Sequence, residues 1–402
     1  MKKIYILFII TIMTNVINAQ ILSTFPDSTF GEAGIVKTDM SFGNDLGNAL
    51  SIQSDGKIIV GGWAENENNF NFYNFALARY NSNGTLDNSF GTNGKVISNL
   101  ESITSGINAI ALQSNGKILA TGFLSDSLKN YLALVRYNMD GSFDSTFGNG
   151  GIVKTLIIDT AIMGGAYNCA NTIALQNDGK IVVAGYSFYS PLYNLYKYYS
   201  TMARYNINGS LDTSFGNGGK VKIQIGNKNS ETYAIKIQKD GKIVSAGISN
   251  IDSISEFAIS RYNTNGSLDS TFGTNGTITQ QIGTQGSGAY ALDIQADNKI
   301  VVAGTASPDN YNWGFAIARY DSTGTLDNSF GNGGIVITQE YALNNAKAMA
   351  VIIQNNGNII AGGSVDNYYW SLRKFNYNGV FESGLTTIMG NTDQIHALSF
   401  QS

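Results

Sequence analysis

The chain has 402 residues, of which 13% are charged, with a net charge of −4, 46 glycines, three prolines, one cysteine and one histidine. A pI near 5.1 and the lack of any basic stripe exclude the electrostatic footprint that nucleic-acid binding needs. Cys169 alone cannot make an internal disulfide, and His396 lies far from it along the chain, so neither a catalytic triad nor a metal-ligand spacing is in view.

Residues 1–19 read as an export signal. Lys2 and Lys3 supply the positive end, Ile4 to Met13 an apolar run too short to cross a bilayer, and Asn18-Ala19 a small-residue cleavage point before Gln20. An amino-terminal strand is the competing reading. No later run reaches about 18 apolar residues, so no membrane span is expected in the mature chain, and a secreted or cell-surface location follows.

From about residue 25 one unit recurs. Phe-Gly stands at Phe30, Phe90, Phe147, Phe215, Phe272 and Phe330, and a glutamine before a tight turn at Gln53, Gln113, Gln176, Gln238, Gln295 and Gln354. Arg-Tyr begins at Arg79, Arg136, Arg204, Arg261 and Arg319, each eight residues before Asp87, Asp144, Asp212, Asp269 or Asp327. In the sixth copy Lys374-Phe375 and Glu382 take these places, which keeps the charges opposite. The copies run approximately 25–86, 87–143, 144–211, 212–268, 269–326 and 327–381, with a partial copy at 382–402, all in one domain, 20–402.

Each copy reads as four short strands. In the first copy they are Gly34 to Thr38, Asn48 to Gln53, Lys57 to Gly61 and Phe75 to Tyr80. Asp-Gly and Asn-Gly tolerate the positive φ of a hairpin turn, so the second and third strands should be antiparallel neighbours. Four antiparallel strands per unit predict an all-β fold. The expected architecture is a β-propeller of four-stranded antiparallel blades, six complete blades plus a partial seventh. A parallel β-helix, the alternative, would not need a hairpin in every unit.

The recurring strings Leu-Asp-(Ser/Thr/Asn)-(Ser/Thr)-Phe-Gly, Gln-x-(Asp/Asn)-Gly-Lys-Ile, Val-(Ala/Gly)-Gly and (Ala/Ile)-Arg-Tyr-Asn resemble the delta-60 repeat family of bacterial propeller-like proteins. The resemblance covers about residues 25–402. It implies a surface or secreted protein and brings no catalytic residues with it.

Asn81, Asn83 and Asp87 offer oxygens at loop spacing, but calcium wants six to eight of them. An Asx turn, with the aspartate also pairing to the repeat arginine, accounts for them better. No metal, no cofactor and no catalytic residue is therefore expected. A carbohydrate-active enzyme using two carboxylates and a purely structural surface protein are the alternatives to a binding protein.

Strand alternation puts two sets of loops on one face of the disc, and these vary between copies. The third copy has the longest ones, Leu156 to Asn171 and Tyr186 to Ser200. Exposed aromatics there would form a platform for a glycan or a surface protein. The candidate ligand-binding residues are Trp63, Tyr186, Tyr189, Tyr193, Tyr196, Tyr198, Trp313 and Trp370. At the end of the chain, Gly384 to Thr387 takes the first-strand position of a seventh copy and Gln394 to Gln401 its second. This arrangement reads as a blade with two of its four strands, in a truncated copy of a longer, seven-bladed protein; a last hairpin that closes a six-bladed ring is the alternative.

Overall fold

The structure is a computed structural model. It describes residues 4–7, 27–41, 43–66, 69–100, 102–127, 129–159, 166–189, 196–251, 254–309, 312–338, 345–366, 369–388 and 396–399. Among these there is no helix, and hence none long and apolar enough to cross a membrane. Six four-stranded antiparallel sheets follow one another along the chain.

The first blade shows the rule. Its strands are Asp45–Ile52, Ile58–Asn66, Asn69–Tyr80 and Lys95–Ser98, hydrogen-bonded in that order. The fourth strand comes from the next copy of the repeat. A blade is thus the second, third and fourth strands of one copy plus the first strand of the following copy, which corrects the expectation that one copy makes one blade. The same phase puts Phe381–Ile388 on the outer edge of the sixth blade, where it completes that sheet. It is not the start of a seventh.

The first copy's own first strand, Ile35–Thr38, pairs with Ile4–Leu7 inside the segment expected to be an export signal. The register is that of a third strand against a fourth: Ile4 faces Thr38 as Phe75 faces Ser98. Of the expected second strand of the seventh copy, residues 396–399 are described and are not a strand. Leu398 nevertheless packs on the outward face of the sixth blade, against Ile360, Trp370 and Leu372. Six complete blades plus a partial set of strands is the outcome.

Apolar side chains fill the spaces between blades. The space between the fourth and fifth blades holds Val244, Phe257, Ile259, Leu292, Ile300 and Val302, all buried. The second strand of the fifth blade, Ile300–Ala306, is apolar on both faces because its sheet is sandwiched between two others.

Polar staples fix the spacing. The arginine of Arg-Tyr lies buried over the phenylalanine of Phe-Gly, with 4.3 Å from the Arg136 guanidinium carbon to the centre of the Phe147 ring. Its Nε donates to the repeat aspartate at 2.6 to 2.8 Å in all five copies that carry the pair. Its Nη2 reaches the Ser or Thr two residues after that aspartate, as from Arg79 to Ser89 at 3.1 Å. Its Nη1 donates to a turn carbonyl of the next blade, Met139 for Arg79 and Ile207 for Arg136. Gly91 adds a parallel link, its N–H donating to Asp140 O at 2.8 Å. Its φ of +52° and a carbonyl 2.2 Å from where a Cβ would stand leave room only for glycine.

The tyrosine of Arg-Tyr ties back the other way. Tyr80 Oη donates to Thr38 Oγ1 at 2.7 Å, and Tyr205 Oη to Thr155 Oγ1 at 2.7 Å, on the outer strand of the preceding sector. In the sixth blade Lys374 Nζ lies 3.0 Å from Glu382 Oε2, so the exchanged pair still meets.

Removing the Arg204 side chain leaves the buried Asp212 with Lys180, at 2.9 Å, as its one remaining cation among the described residues, beside the Ser214 amide and hydroxyl. Loss of one partner of a buried ion pair costs about 3–5 kcal/mol, and the low end is expected here because Lys180 remains. Urea denaturation of Arg204→Ala should show a clearly lower midpoint, whereas an unchanged midpoint would mean that the staple adds no stability.

Burial works against ionisation of the five repeat aspartates. The lysine ammonium, the Ser or Thr hydroxyl and amide, and the arginine nevertheless hold their pKa values well below the ordinary carboxylate range. A depressed folded-state pKa gives stability that is complete above the unfolded value, about 4, and is lost as pH falls toward the folded one. The melting temperature should therefore fall steeply below about pH 4, and a flat profile down to about pH 2 would contradict the arrangement.

Candidate binding face

The two faces of the disc are built differently. On one lie the tight turns after the repeat glutamines and the arginine staples. The oxygens considered for calcium are engaged there: Asn83 Oδ1 accepts from the Thr85 amide and hydroxyl, and Asp87 from Ser89, Lys57 and Arg79. Among the described residues no three His, Cys, Asp or Glu side chains gather as a metal site.

The other face carries the starts of the first strands and the ends of the second strands. Each blade's first strand breaks register once, five residues before the repeat glutamine. The extra residue is Asn48, Asn108, Asn171, Tyr233, Tyr290 or Met349 in turn. Opposite the bulge, the second strand must carry glycine: a Cβ on Gly62 would stand 1.8 Å from Leu46 O. This is the physical reason for the Val-(Ala/Gly)-Gly string.

The bulge residues split the molecule in two. Asn48 Nδ2 donates to Ile107 O at 2.9 Å, Asn108 Nδ2 to Ala170 O at 2.9 Å, and Asn171 Nδ2 to Thr232 O at 2.8 Å. The first four blades are thereby laced together along their first strands. From the fourth blade onward the bulge asparagine is lost, and Asp293 links the first strands instead, 3.0 Å from Lys236 Nζ and accepting from the Ile353 amide at 3.1 Å. Tyr233 and Tyr290 meet with ring centres 5.1 Å apart, and the Tyr233 hydroxyl donates to Glu231 Oε2 at 2.8 Å. Burial raises the Glu231 pKa, and the bond from Tyr233 opposes that rise.

Beyond Tyr290 opens a cavity of about 270 Å³ between the fourth, fifth and sixth blades. Its lining includes Ser255, Ser287, Tyr290, Thr305, Trp313 and Lys347. Gly288 sits in the lining where a Cβ would stand 2.8 Å from Ile248 Cδ1 and 3.3 Å from the Tyr290 hydroxyl.

The third blade carries an aromatic row. Tyr167, Phe188 and Tyr198 face one another across three neighbouring strands, Ala166–Leu175, Ile181–Tyr189 and Lys197–Tyr205. Their ring centres are 5.1 Å and 4.6 Å apart, and Tyr186 and Tyr196 extend the cluster. Tyr196 is 52% exposed. On the opposite side of the same sheet Tyr189 stacks with Tyr199, over which Lys197 and Lys222 are placed.

The eight residues expected from sequence therefore scatter. Tyr186, Tyr196 and Tyr198 belong to one cluster, but Tyr186 and Tyr198 sit on strands, not on a free loop as expected, because the hairpin ladder continues through Phe188–Tyr198 and Tyr189–Lys197. Tyr189 points to the other side of the sheet. Tyr193 lies outside the described residues. Trp63 pairs with Tyr73 in the first blade at 4.3 Å, and Trp313 lines the cavity. Trp370 is 2% exposed in the middle of strand Tyr369–Phe375, packed with Ile360 and Leu372. It is a core residue of the sixth blade and unfit for ligand contact, a correction to its assignment as a surface aromatic. Tyr167, Glu231, Tyr233, Tyr290 and Lys347 escaped the sequence reading. The change from Asn to Tyr or Met five residues before the glutamine was the available signal.

This architecture defines a β-propeller. Five segments, 53–90, 113–147, 176–215, 238–272 and 295–330, match the model of the family described as "Domain of unknown function (DUF5122) beta-propeller". Each match runs from the glutamine before the tight turn to the phenylalanine of Phe-Gly. No curated protein matches the chain. Among solved structures it is similar to Sqt1 of Chaetomium thermophilum bound to the N-terminus of the ribosomal protein L10. That likeness has 12% identity and a TM-score of 0.45 and covers 88% of this chain and 77% of the other. It is also similar to the polysaccharide lyase Uly1, with 10% identity, a TM-score of 0.47, and 86% and 83% covered.

Cys169, fully buried in the third blade, accepts from Asn108 Nδ2 at 3.3 Å, and burial pushes its thiol up to about 12. A thiol held so far above neutrality is a poor nucleophile. A maleimide or disulfide reagent should leave native protein unmodified at pH 8 and label it fully in urea. Rapid labelling of the native form would show the third blade to be open.

Proposed function

We propose that this protein is exported and acts as a binding protein that takes a glycan on its variable face. The observation that carries this reading is the aromatic row of the third blade, Tyr167, Phe188 and Tyr198 with Tyr186 and the exposed Tyr196. Flat, closely spaced rings with one exposed end suit the apolar faces of sugar rings. The amino-terminal pattern of Lys2, Lys3 and a short apolar run supports export.

Binding without chemistry fits the groups present. Glu231 is engaged by Tyr233, and the five repeat aspartates are engaged in staples on the other face. None of these is free to act as one of a pair of hydrolytic carboxylates.

A glycan array followed by titration tests the proposal. Phe188→Ala together with Tyr196→Ala should weaken binding of the best oligosaccharide at least about tenfold, since stacking contacts of this kind are each worth about 0.5–1.5 kcal/mol beyond area burial. A double variant that folds and binds as well as the parent would remove the third blade from the site.

A further inference from the structure

The cavity between the fourth, fifth and sixth blades is separate from the aromatic row. We infer that it is a binding subsite for an acidic sugar, one whose carboxylate pairs with Lys347. This rests on the reading of the variable face as glycan-binding and names the class of glycan.

The chemistry of the lining is the argument. Lys347 is exposed at the start of its strand and makes no ion pair among the described residues. The neighbouring carboxylates have hydrogen-bond donors of their own: Asp309 accepts from the Asn312 amide at 2.8 Å, Asp366 from the Asn345 amide at 3.0 Å, and Glu231 from the Tyr233 hydroxyl at 2.8 Å. Trp313 offers a half-buried aromatic surface, held in place by its carbonyl accepting from the Ala346 amide at 2.9 Å. Ser255, Ser287, Thr305 and Tyr290 bring hydroxyls, which suit the donors and acceptors of a sugar ring.

Position in the repeat supports the assignment. At the place of Lys347 the other inner strands have Leu46, Gly106, Cys169, Glu231 and Gly288. The cation is therefore not a demand of the repeat, and neither is the glycine beside it. Gly288 leaves the space open next to Ile248 and the Tyr290 hydroxyl. The backbone around the cavity is already paired, Ser287 with Ala306 and Gly288 with Thr305. A peptide would find no free ladder to extend there, whereas a sugar needs only side chains. A volume of about 270 Å³ sits just below the range for drug-sized ligands, about 300–1,000 Å³, and suits a short stretch of sugar rings.

The test is calorimetric titration of the full-length protein with oligogalacturonate of three or four residues and with the same oligomer after carboxyl reduction. The acid form should bind about tenfold more tightly, the effect of one charge-assisted contact, and added salt should narrow the difference. Lys347→Gln should bind both forms equally, and Trp313→Ala should weaken both. Equal binding of the two forms by the parent, an unchanged preference in Lys347→Gln, or tighter binding of an oligoglutamate than of the sugar would overturn the assignment. If the sugars bind and only Phe188→Ala with Tyr196→Ala reduces binding, glycan recognition stands and the subsite falls. If no sugar binds at all, both fall.

Discussion

The structure depends on one repeated contact, an arginine held flat between a phenylalanine ring and an aspartate. Only a guanidinium can do all that is asked of it. It stacks on the ring, gives Nε to the carboxylate, Nη2 to a hydroxyl and Nη1 to the backbone of the next blade. A buried charge needs every one of these partners, because leaving water is costly. Geometry strict enough to satisfy them fixes the angle between successive blades. The sixth blade relaxes the rule. Lys374 is a point charge without a planar fork, its partner is the longer Glu382, and Asn358 stands where a lysine completes the cluster in the complete staples.

Concentrating the structural demand on one face frees the other. The staple face is nearly constant from copy to copy because each turn must meet both its own blade and the next. The far face keeps only one requirement, a glycine opposite the bulge of the first strand. Around that fixed point the bulge residue can be asparagine, which laces one blade to the next, or tyrosine or methionine, which does not. The cavity lies where the bulge asparagine has been replaced, and the exposed cation Lys347 lies in it. Function in such a fold is expected where the repeat is allowed to lapse.

Much of the fold was legible in the chain. Phe-Gly, Arg-Tyr and the glutamine turn carry their own physics, and the pairing of Arg204 with Asp212 could be inferred from a charge exchange eight residues apart. Trp370 looks like a surface aromatic in the sequence because aromatics near a loop look alike whether they face solvent or pack on a sheet. Tyr186 and Tyr198 read as loop residues in the sequence because nothing local says how far a hairpin ladder runs. The bulge escaped because it is a property of two strands, and its sign in one strand is merely a change of residue type.

The sequence by itself determined the strands, their turns and the contacts that recur within a copy, since these rest on interactions between residues close along the chain. Only the tertiary structure decided which copy lends its strand to which blade. It alone brought Tyr290, Trp313 and Lys347 to one cavity, and turned Phe188 to one side of its sheet and Tyr189 to the other. Those outcomes depend on how neighbouring sheets face one another, and the groups involved lie on different copies of the repeat.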